Sequence, residues 1–340
     1  MKLMRTEDAV GQVLCHDITQ IIKGVTKDAV FRKGHIITEE DIPVLLSVGK
    51  DHIYIWENNE NMLHENDAAK ILYDMCANKH MTPSEIKEGK IELIAECDGL
   101  LKVDTERLNA VNALGEMMIA CRHGNFPVKK GDKIAGTRII PLVIEKEKME
   151  RAKKAAGEEP IFELIPFKKM KAAIVNTGNE VFYGRIKDTF TPVIIEKLKE
   201  YGAEVVGHVV SDDNHEHITA AIQKFLDEGV DMVLCTGGMS VDPDDRTPLA
   251  IKNTGAEIVT YGAPVLPGAM FLLAYYGEKK RPVIGLPGCV MYAKRTIFDL
   301  VLPRIVAGEI LKKADIDTLG EGGLCLNCPV CTFPNCGFGK

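Results

Sequence analysis

From residue 171 onward the apolar positions change period in a regular order. KAAIVN (171–176), AEVVGHVV (203–210) and VDMVLCT (230–236) are short runs rich in β-branched residues. Between them, Ile194, Leu198 and Tyr201, then Ile218, Ile222, Phe225 and Leu226, recur at the three-to-four-residue spacing of a helix face. Strand, helix, strand, helix, strand with short connections predicts a parallel sheet covered on both faces, because each buried strand must be followed by a crossover that returns to the same edge. Ligands in such sheets bind at the carboxyl ends of the strands. A further apolar run, RPVIGL, ends in Gly285-Leu286-Pro287-Gly288 and precedes an apolar helix expected over Val290 to Val306.

The first half lacks this regularity. Thr38 heads a short helix that should stop at Gly49. Asp104 opens a longer one, with Leu108, Val111, Leu114 and Met118 on one face and Gly124 beyond it. VKKGDKIAGTRIIPLVI reads as extended segments around Gly131-Asp132 and Gly136, and the lone Trp56 as core. Separating the halves, EKEKMERAKKAAGEEP (145–160) holds ten charged residues in sixteen. Its Glu147/Arg151 and Glu150/Lys154 pairs have the favourable i,i+4 order, so a solvated connecting helix is expected there. The predicted organisation is an N-terminal α+β domain (1–150), a charged linker (151–167), a three-layer α/β/α domain with a mostly parallel sheet (168–311) and a Cys-rich tail (312–340). The fold class is α/β.

Composition narrows the function. A net charge of −7 over 340 residues disfavours broad nucleic-acid binding, which needs a basic surface. No apolar run approaches the roughly 18 residues of a membrane span. Glu7 and Asp8 stand where a signal peptide needs apolar residues, and a cytoplasmic protein is expected.

The chemistry gathers at two strand ends. The first gives Asn176-Thr177-Gly178-Asn179-Glu180; the third gives Thr236-Gly237-Gly238-Met239-Ser240, followed by Val241-Asp242-Pro243-Asp244-Asp245. Glycine after a buried strand lets the backbone turn and bring N–H groups to an anion, so Gly237 is expected to approach a phosphate. Hydroxyls of Thr177, Thr236 and Ser240 add donors, and Pro287 and Gly288 can complete the pocket. Three carboxylates beside an anion cradle would repel a bare phosphate, a conflict that Mg²⁺ resolves, since it is usually held by one or two carboxylates plus substrate phosphates. One of these aspartates could instead cap the helix beginning at Arg246-Thr247-Pro248.

These motifs resemble the molybdopterin-binding domain shared by molybdopterin molybdenumtransferases, molybdopterin adenylyltransferases and gephyrin. The stretch from Lys171 to Ile310 carries VNTGNEV, TGGMSVDPDDRTP, VLPGAMFLLAYY, and GLPG followed by an apolar helix ending in LPRI, in the family's order. TGG-x-S-V with GLPG resembles the molybdenumtransferase branch; Asp245-Arg246-Thr247-Pro248 also resembles the adenylyltransferase branch. AVGQVLCHDIT is similar to the opening segment of molybdenumtransferases, but the Ser-x-x-Asp-Gly-Tyr stretch that follows there is absent here. Cys289-Val290 replaces the usual Asn-Pro, and Pro267-Gly268-Ala269-Met270 replaces Pro-Gly-Lys-Pro.

The resemblance implies molybdenum-cofactor biosynthesis by insertion of molybdate into adenylylated molybdopterin, with release of AMP. The alternatives are adenylyl transfer to molybdopterin and a non-catalytic molybdopterin carrier or sensor. Thr177, Gly178, Glu180, Thr236, Gly237, Gly238, Ser240, Pro287 and Gly288 are the expected ligand-binding residues, and Asp245, with Asp244 and Asp188, the expected catalytic and Mg²⁺-holding ones. Implied partners are molybdopterin, molybdate, a molybdoenzyme client and a second copy of the chain.

The tail stands apart from this. Cys325, Cys328, Cys331 and Cys336 fall within 12 residues, separated by two, two and four residues. That spacing lets four thiolates meet on one centre, either a [4Fe–4S] cluster or structural Zn²⁺.

Overall fold

The computed structural model describes all residues except 1, 23–25, 56–59, 241 and 244. Trp56 and Asp244 therefore lie outside the described residues. The chain divides into two compact units, one of residues 1–96, 103–122 and 131–163, the other of 97–102, 123–130 and 164–340.

The first unit is α+β. Strand Lys2–Arg5 pairs antiparallel with His52–Ile55, and helix Asp41–Ser47 packs Leu45 against Leu14, Ile37 and Ile53. A four-stranded antiparallel sheet, in the order Met81–Pro83, Lys90–Ala95, Lys133–Ile139, Met117–Cys121, completes it with helix Glu65–Cys76.

Two expectations for this half are corrected. The helix opened by Asp104, whose Oδ1 accepts the Arg107 N–H at 2.9 Å, stops at Asn112. There the Asn112 side chain bonds both backbone groups of Ile119 (2.8 and 2.9 Å), and Met118 belongs to a strand. The charged segment is a helix, Lys146–Ala156, but not a solvated connector: Met149, Ala152 and Ala156 are fully buried within the first unit. A charged majority hides a three-residue apolar stripe, which is all a surface helix needs.

Glu65 opens its helix largely buried, and burial pushes its carboxyl up to about 7, with Arg138 opposing and Glu88 reinforcing the shift. Between the ordinary carboxylate range and about pH 7 only the folded state keeps this proton. Its stabilising contribution is therefore complete at low pH and lost as pH rises through about 7. Glu65→Gln is expected to flatten this slope, worth about 1–3 kcal/mol, in urea titrations of the first unit run from pH 5 to 8.

In the second unit the predicted alternation is realised. Its elements are β1 (Lys171–Thr177), α1 (Asn179–Phe182), α2 (Phe190–Lys199), β2 (Glu204–Ser211), α3 (His215–Asp227), β3 (Met232–Thr236), α4 (Thr247–Asn253), β4 (Glu257–Tyr261), β5 (Leu272–Tyr276), β6 (Arg281–Leu286) and α5 (Ile297–Ala307). The sheet order is β2-β1-β3-β6-β5-β4, parallel from β2 to β6 and antiparallel at β5 and β4.

Side chains alternate across the sheet, as strand geometry requires. Ile174, Met232, Leu234 and Ile284 face α2 and α5; Ala173, Val175, Val233 and Val283 face α3 and α4. The result is three layers. The apolar stretch beginning at Val290 is not one helix: Gly288–Met291 is a single 3₁₀ turn, and α5 starts at Ile297. The Thr296 hydroxyl accepts the Phe298 N–H and the Asp299 carboxylate accepts the Thr296 N–H, a capping box that restarts the chain.

Candidate functional site

Register brings the glycine loops together. Asn176 pairs with Thr236 and Thr236 with Leu286, so β1, β3 and β6 end level and release their loops at one edge. The chain turns one way from β1 to β2 and the other way to β3, and a crevice opens at this reversal.

Two adjoining depressions occupy the crevice. One, of ≈ 580 Å³, is lined by Thr177, Gly178, Glu180, Lys187, Asp242 and Asp245 among others. The other, of ≈ 510 Å³, is lined by Ser240, Met270, Pro287, Gly288, Cys289 and Tyr292 among others. Phe190, Gly237, Gly238, Asp245 and Met291 border both. Eight of the nine expected ligand-binding residues thus share one cleft with Asp245. Thr236 is the exception: it is wholly buried at the end of β3 and lines neither depression.

Among the described residues, the backbone N–H groups of Gly238, Met239, Ser240 and Gly288 have no hydrogen-bond acceptor. All four residues border the second depression. Unpaired N–H groups from two loops around one opening form a partial positive rim suited to phosphate oxygens.

Gly237 plays a different part from the one expected. Its φ is +87°, and a Cβ there would stand 2.0 Å from the Thr177 carbonyl oxygen. Its missing side chain lets two loops touch each other, and the residue also borders both depressions. Thr247, which the sequence marked only as a helix start, locks the same junction: its buried hydroxyl donates to the Gly237 carbonyl at 2.8 Å and lies 3.1 Å from the Thr177 hydroxyl. Gly288 is the reverse case. A Cβ there meets nothing closer than Phe190 Cζ at 3.9 Å, so this position is open to the cleft.

The acidic residues separate by role. Asp188 is a helix cap: Oδ1 accepts the N–H groups of Phe190 (2.9 Å) and Thr191 (3.1 Å), and Oδ2 accepts the Thr191 hydroxyl (2.6 Å). Burial would raise this carboxyl, but the bonds from Thr191 and its neighbours outweigh burial and hold it below the ordinary range. Asp188 lines neither depression, which removes it from the expected Mg²⁺ set.

Asp245 is not spent on capping. Arg246 precedes α4 and makes no capping bond, and the Asp245 N–H closes a turn onto the Asp242 carbonyl at 2.9 Å. Its half-buried carboxylate borders both depressions. Burial, with the Asp245 charge in addition, raises the Tyr261 phenol. The Tyr261 hydroxyl donates to the Met239 and Ser240 carbonyls, at 3.0 and 3.3 Å, and steadies the glycine loop. Among the described residues no three Asp, Glu, His or Cys side chains are grouped to hold an ion by themselves. Mg²⁺ does not require that, because substrate oxygens and water complete its shell.

The four tail cysteines line a single cavity of ≈ 200 Å³; Cys328 and Cys331 are exposed, Cys325 and Cys336 half-buried. Contrary to the expected separate tail, Phe338 is buried in the core of the second unit.

Residues 173–307 match the family described as "Probable molybdopterin binding domain", and residues 3–57 match a domain of unknown function (DUF8806). The chain is 29% identical over 163 residues to a molybdopterin molybdenumtransferase of Synechococcus elongatus, covering 45% of this chain and 38% of that protein. It is 34% identical over 90 residues to a CinA-like protein of Mycobacterium avium, covering 26% and 21%. It therefore spans well under half the length of these curated relatives. Among solved structures, the molybdopterin biosynthesis enzyme MoaB of Thermus thermophilus is similar at 22% identity and a TM-score of 0.33, covering 42% of this chain and 99% of that one. No helix among the described residues is long and apolar enough to cross a membrane. On the sequence match across the strands and loops that build this cleft, residues 173–307 form a domain of the molybdopterin-binding family.

Proposed function

We propose that the second unit binds adenylylated molybdopterin across the two joined depressions, and that the protein inserts molybdate into it with release of AMP. The observation that carries this reading is the set of four unpaired N–H groups on two loops around one opening, which Asp245 also borders. Gly238, Met239, Ser240 and Gly288 would hold phosphate oxygens, and Phe190 and Tyr292, which border the same depression, would give a flat ring system an apolar seat. Asp245, with Asp244, would hold Mg²⁺, which when bound offsets the charge that grows on the phosphates as the anhydride opens. Thr247 and Tyr261 keep the loop in place while this happens.

One observation favours a carrier instead: Met270 and Cys289, in the positions where the family's usual Lys-Pro and Asn-Pro are replaced, both border the depression. Release of AMP on adding molybdate to the loaded protein supports insertion. Tight binding without release supports the carrier.

Two glycine variants test the site itself. Gly288→Ala should leave stability within about 0.5 kcal/mol of the parent while weakening calorimetric binding of adenylylated molybdopterin about tenfold, since a methyl group enters the cleft and nothing else. Gly237→Ala should instead lower stability by at least about 1–2 kcal/mol, because it adds a left-handed backbone penalty to the contact with Thr177. Undiminished binding by Gly288→Ala would exclude the second depression as the phosphate seat.

A further inference from the structure

The tail from Gly322 to Lys340 has no helix or strand, yet its course is fixed at both ends. The Leu266 N–H donates to the Gly323 carbonyl and the Cys325 N–H to the Leu266 carbonyl, both at 2.8 Å, so the tail enters as a bridge beside the 264–266 segment. It closes where the Gly339 N–H meets the Gly322 carbonyl at 2.8 Å. A loop tied at its neck thus carries four free cysteines, and all four line one cavity.

We propose that Cys325, Cys328, Cys331 and Cys336 hold a [4Fe–4S] cluster. This goes beyond the reading of the cleft and does not depend on it. Two observations favour a cluster over a single ion. Four sulfurs around one Zn²⁺ close to about 2.3 Å from it and leave no interior space, whereas the cavity that these four residues line, with Phe333 and Phe338 among its other walls, has ≈ 200 Å³. The Cys-x-x-Cys-x-x-Cys run followed by a fourth cysteine is close to the spacing of bacterial cluster-binding segments, although the last gap here is longer.

The surroundings suit the charge such a centre carries. Four thiolates on a [4Fe–4S] core of charge +2 leave a net negative site, and Lys294 and Arg295 border the cavity. The Lys294 ammonium donates to the carbonyls of Cys328 (3.2 Å) and Pro329 (2.7 Å), holding the ligand loop by its backbone. The Arg295 guanidinium lies 5.0 Å from the centre of the Phe333 ring, which with Phe338 covers the inner side. Aromatic cover on one side keeps water from the sulfurs, and cations on the rim offset the cluster's charge; together they tune its potential and slow its loss.

The test is full-length protein purified without oxygen and, separately, reconstituted with ferrous iron and sulfide. The expected result is about four iron and four acid-labile sulfide per chain, a brown charge-transfer absorption bleached by dithionite, and a paramagnetic signal in the reduced state. Cys331→Ser, at an exposed position that costs no packing, should lose most of the iron with an unchanged far-ultraviolet dichroism spectrum. Cys289→Ser should keep all of it. One zinc per chain that iron and sulfide do not displace, no metal with four alkylatable thiols, or full iron in Cys331→Ser would each overturn the proposal.

Discussion

Asp299→Ala is expected to lower the unfolding free energy of the second unit by about 3–5 kcal/mol, read as a shift of its urea midpoint. Asp299 is 2% exposed and accepts the Lys197 ammonium at 2.7 and 2.9 Å, the Arg295 guanidinium at 2.8 Å and the Thr296 N–H at 2.7 Å. Alanine removes every one of these acceptors. The Lys197 side chain is itself only 8% exposed, and its remaining partner is the Lys294 carbonyl at 3.2 Å. The loss is dominated by this stranded ammonium, with the helix cap adding about 1 kcal/mol. Asp299→Asn keeps the size and can keep the cap, so it should fall between the two proteins. Double replacement of Lys197 and Asp299 by Met and Leu should recover much of the deficit, because no charge is then left buried. A shift below about 1 kcal/mol for the alanine variant would mean that water reaches Lys197 and that the pair is not desolvated. The same carboxylate anchors Arg295 and Thr296, three and four residues after Tyr292 of the cleft, so binding should weaken along with stability.

The layers of the second unit were legible in the sequence because burial on both faces of a parallel sheet leaves an unmistakable alternation of apolar runs and helix faces. The level strand ends were implied by the same pattern, and they bring Thr177, Gly237 and Gly288 into one cleft. What the sequence concealed are tasks performed by atoms common to several roles. Asp188 and Asp245 are both acidic residues near glycine loops; only the first has its oxygens taken by Phe190 and Thr191. A glycine that makes room for a ligand and one that makes room for another loop look alike in one dimension, and Gly237 proved to be the second kind. Thr247 reads as an ordinary first residue of a helix, although its hydroxyl spans two loops 70 and 10 residues away in sequence. Helix ends depart from the apolar periodicity wherever a side-chain bond outweighs it, at Asn112 and at Thr296. In the charged segment, counting charges gave the wrong weight: three small or flexible apolar residues on one stripe decided that the helix packs.

Asp245→Asn is expected to reduce molybdate-dependent release of AMP by about 100-fold or more, equivalent to roughly 2.7 kcal/mol of transition-state stabilisation, with stability changed by less than about 0.5 kcal/mol. The asymmetry follows from its surroundings. Asp245 borders the depression around which the four unpaired N–H groups stand, a position where phosphate and carboxylate would repel each other unless a cation stood between them. Removing one charge from that arrangement weakens the hold on Mg²⁺ and with it the compensation for charge developing on the phosphates. Nothing in the fold depends on the same charge: the turn at Asp245 is closed by its backbone N–H, and α4 is not capped by its side chain. Raising Mg²⁺ should restore part of the variant's activity, since a weakened site fills by mass action. A purely structural aspartate would show no such rescue. If the protein is a carrier, the same substitution should remove the Mg²⁺ dependence of adenylylated molybdopterin binding in calorimetry and leave no turnover to measure. Equal turnover and equal Mg²⁺ dependence in the two proteins would assign the cation, and the chemistry with it, to other groups.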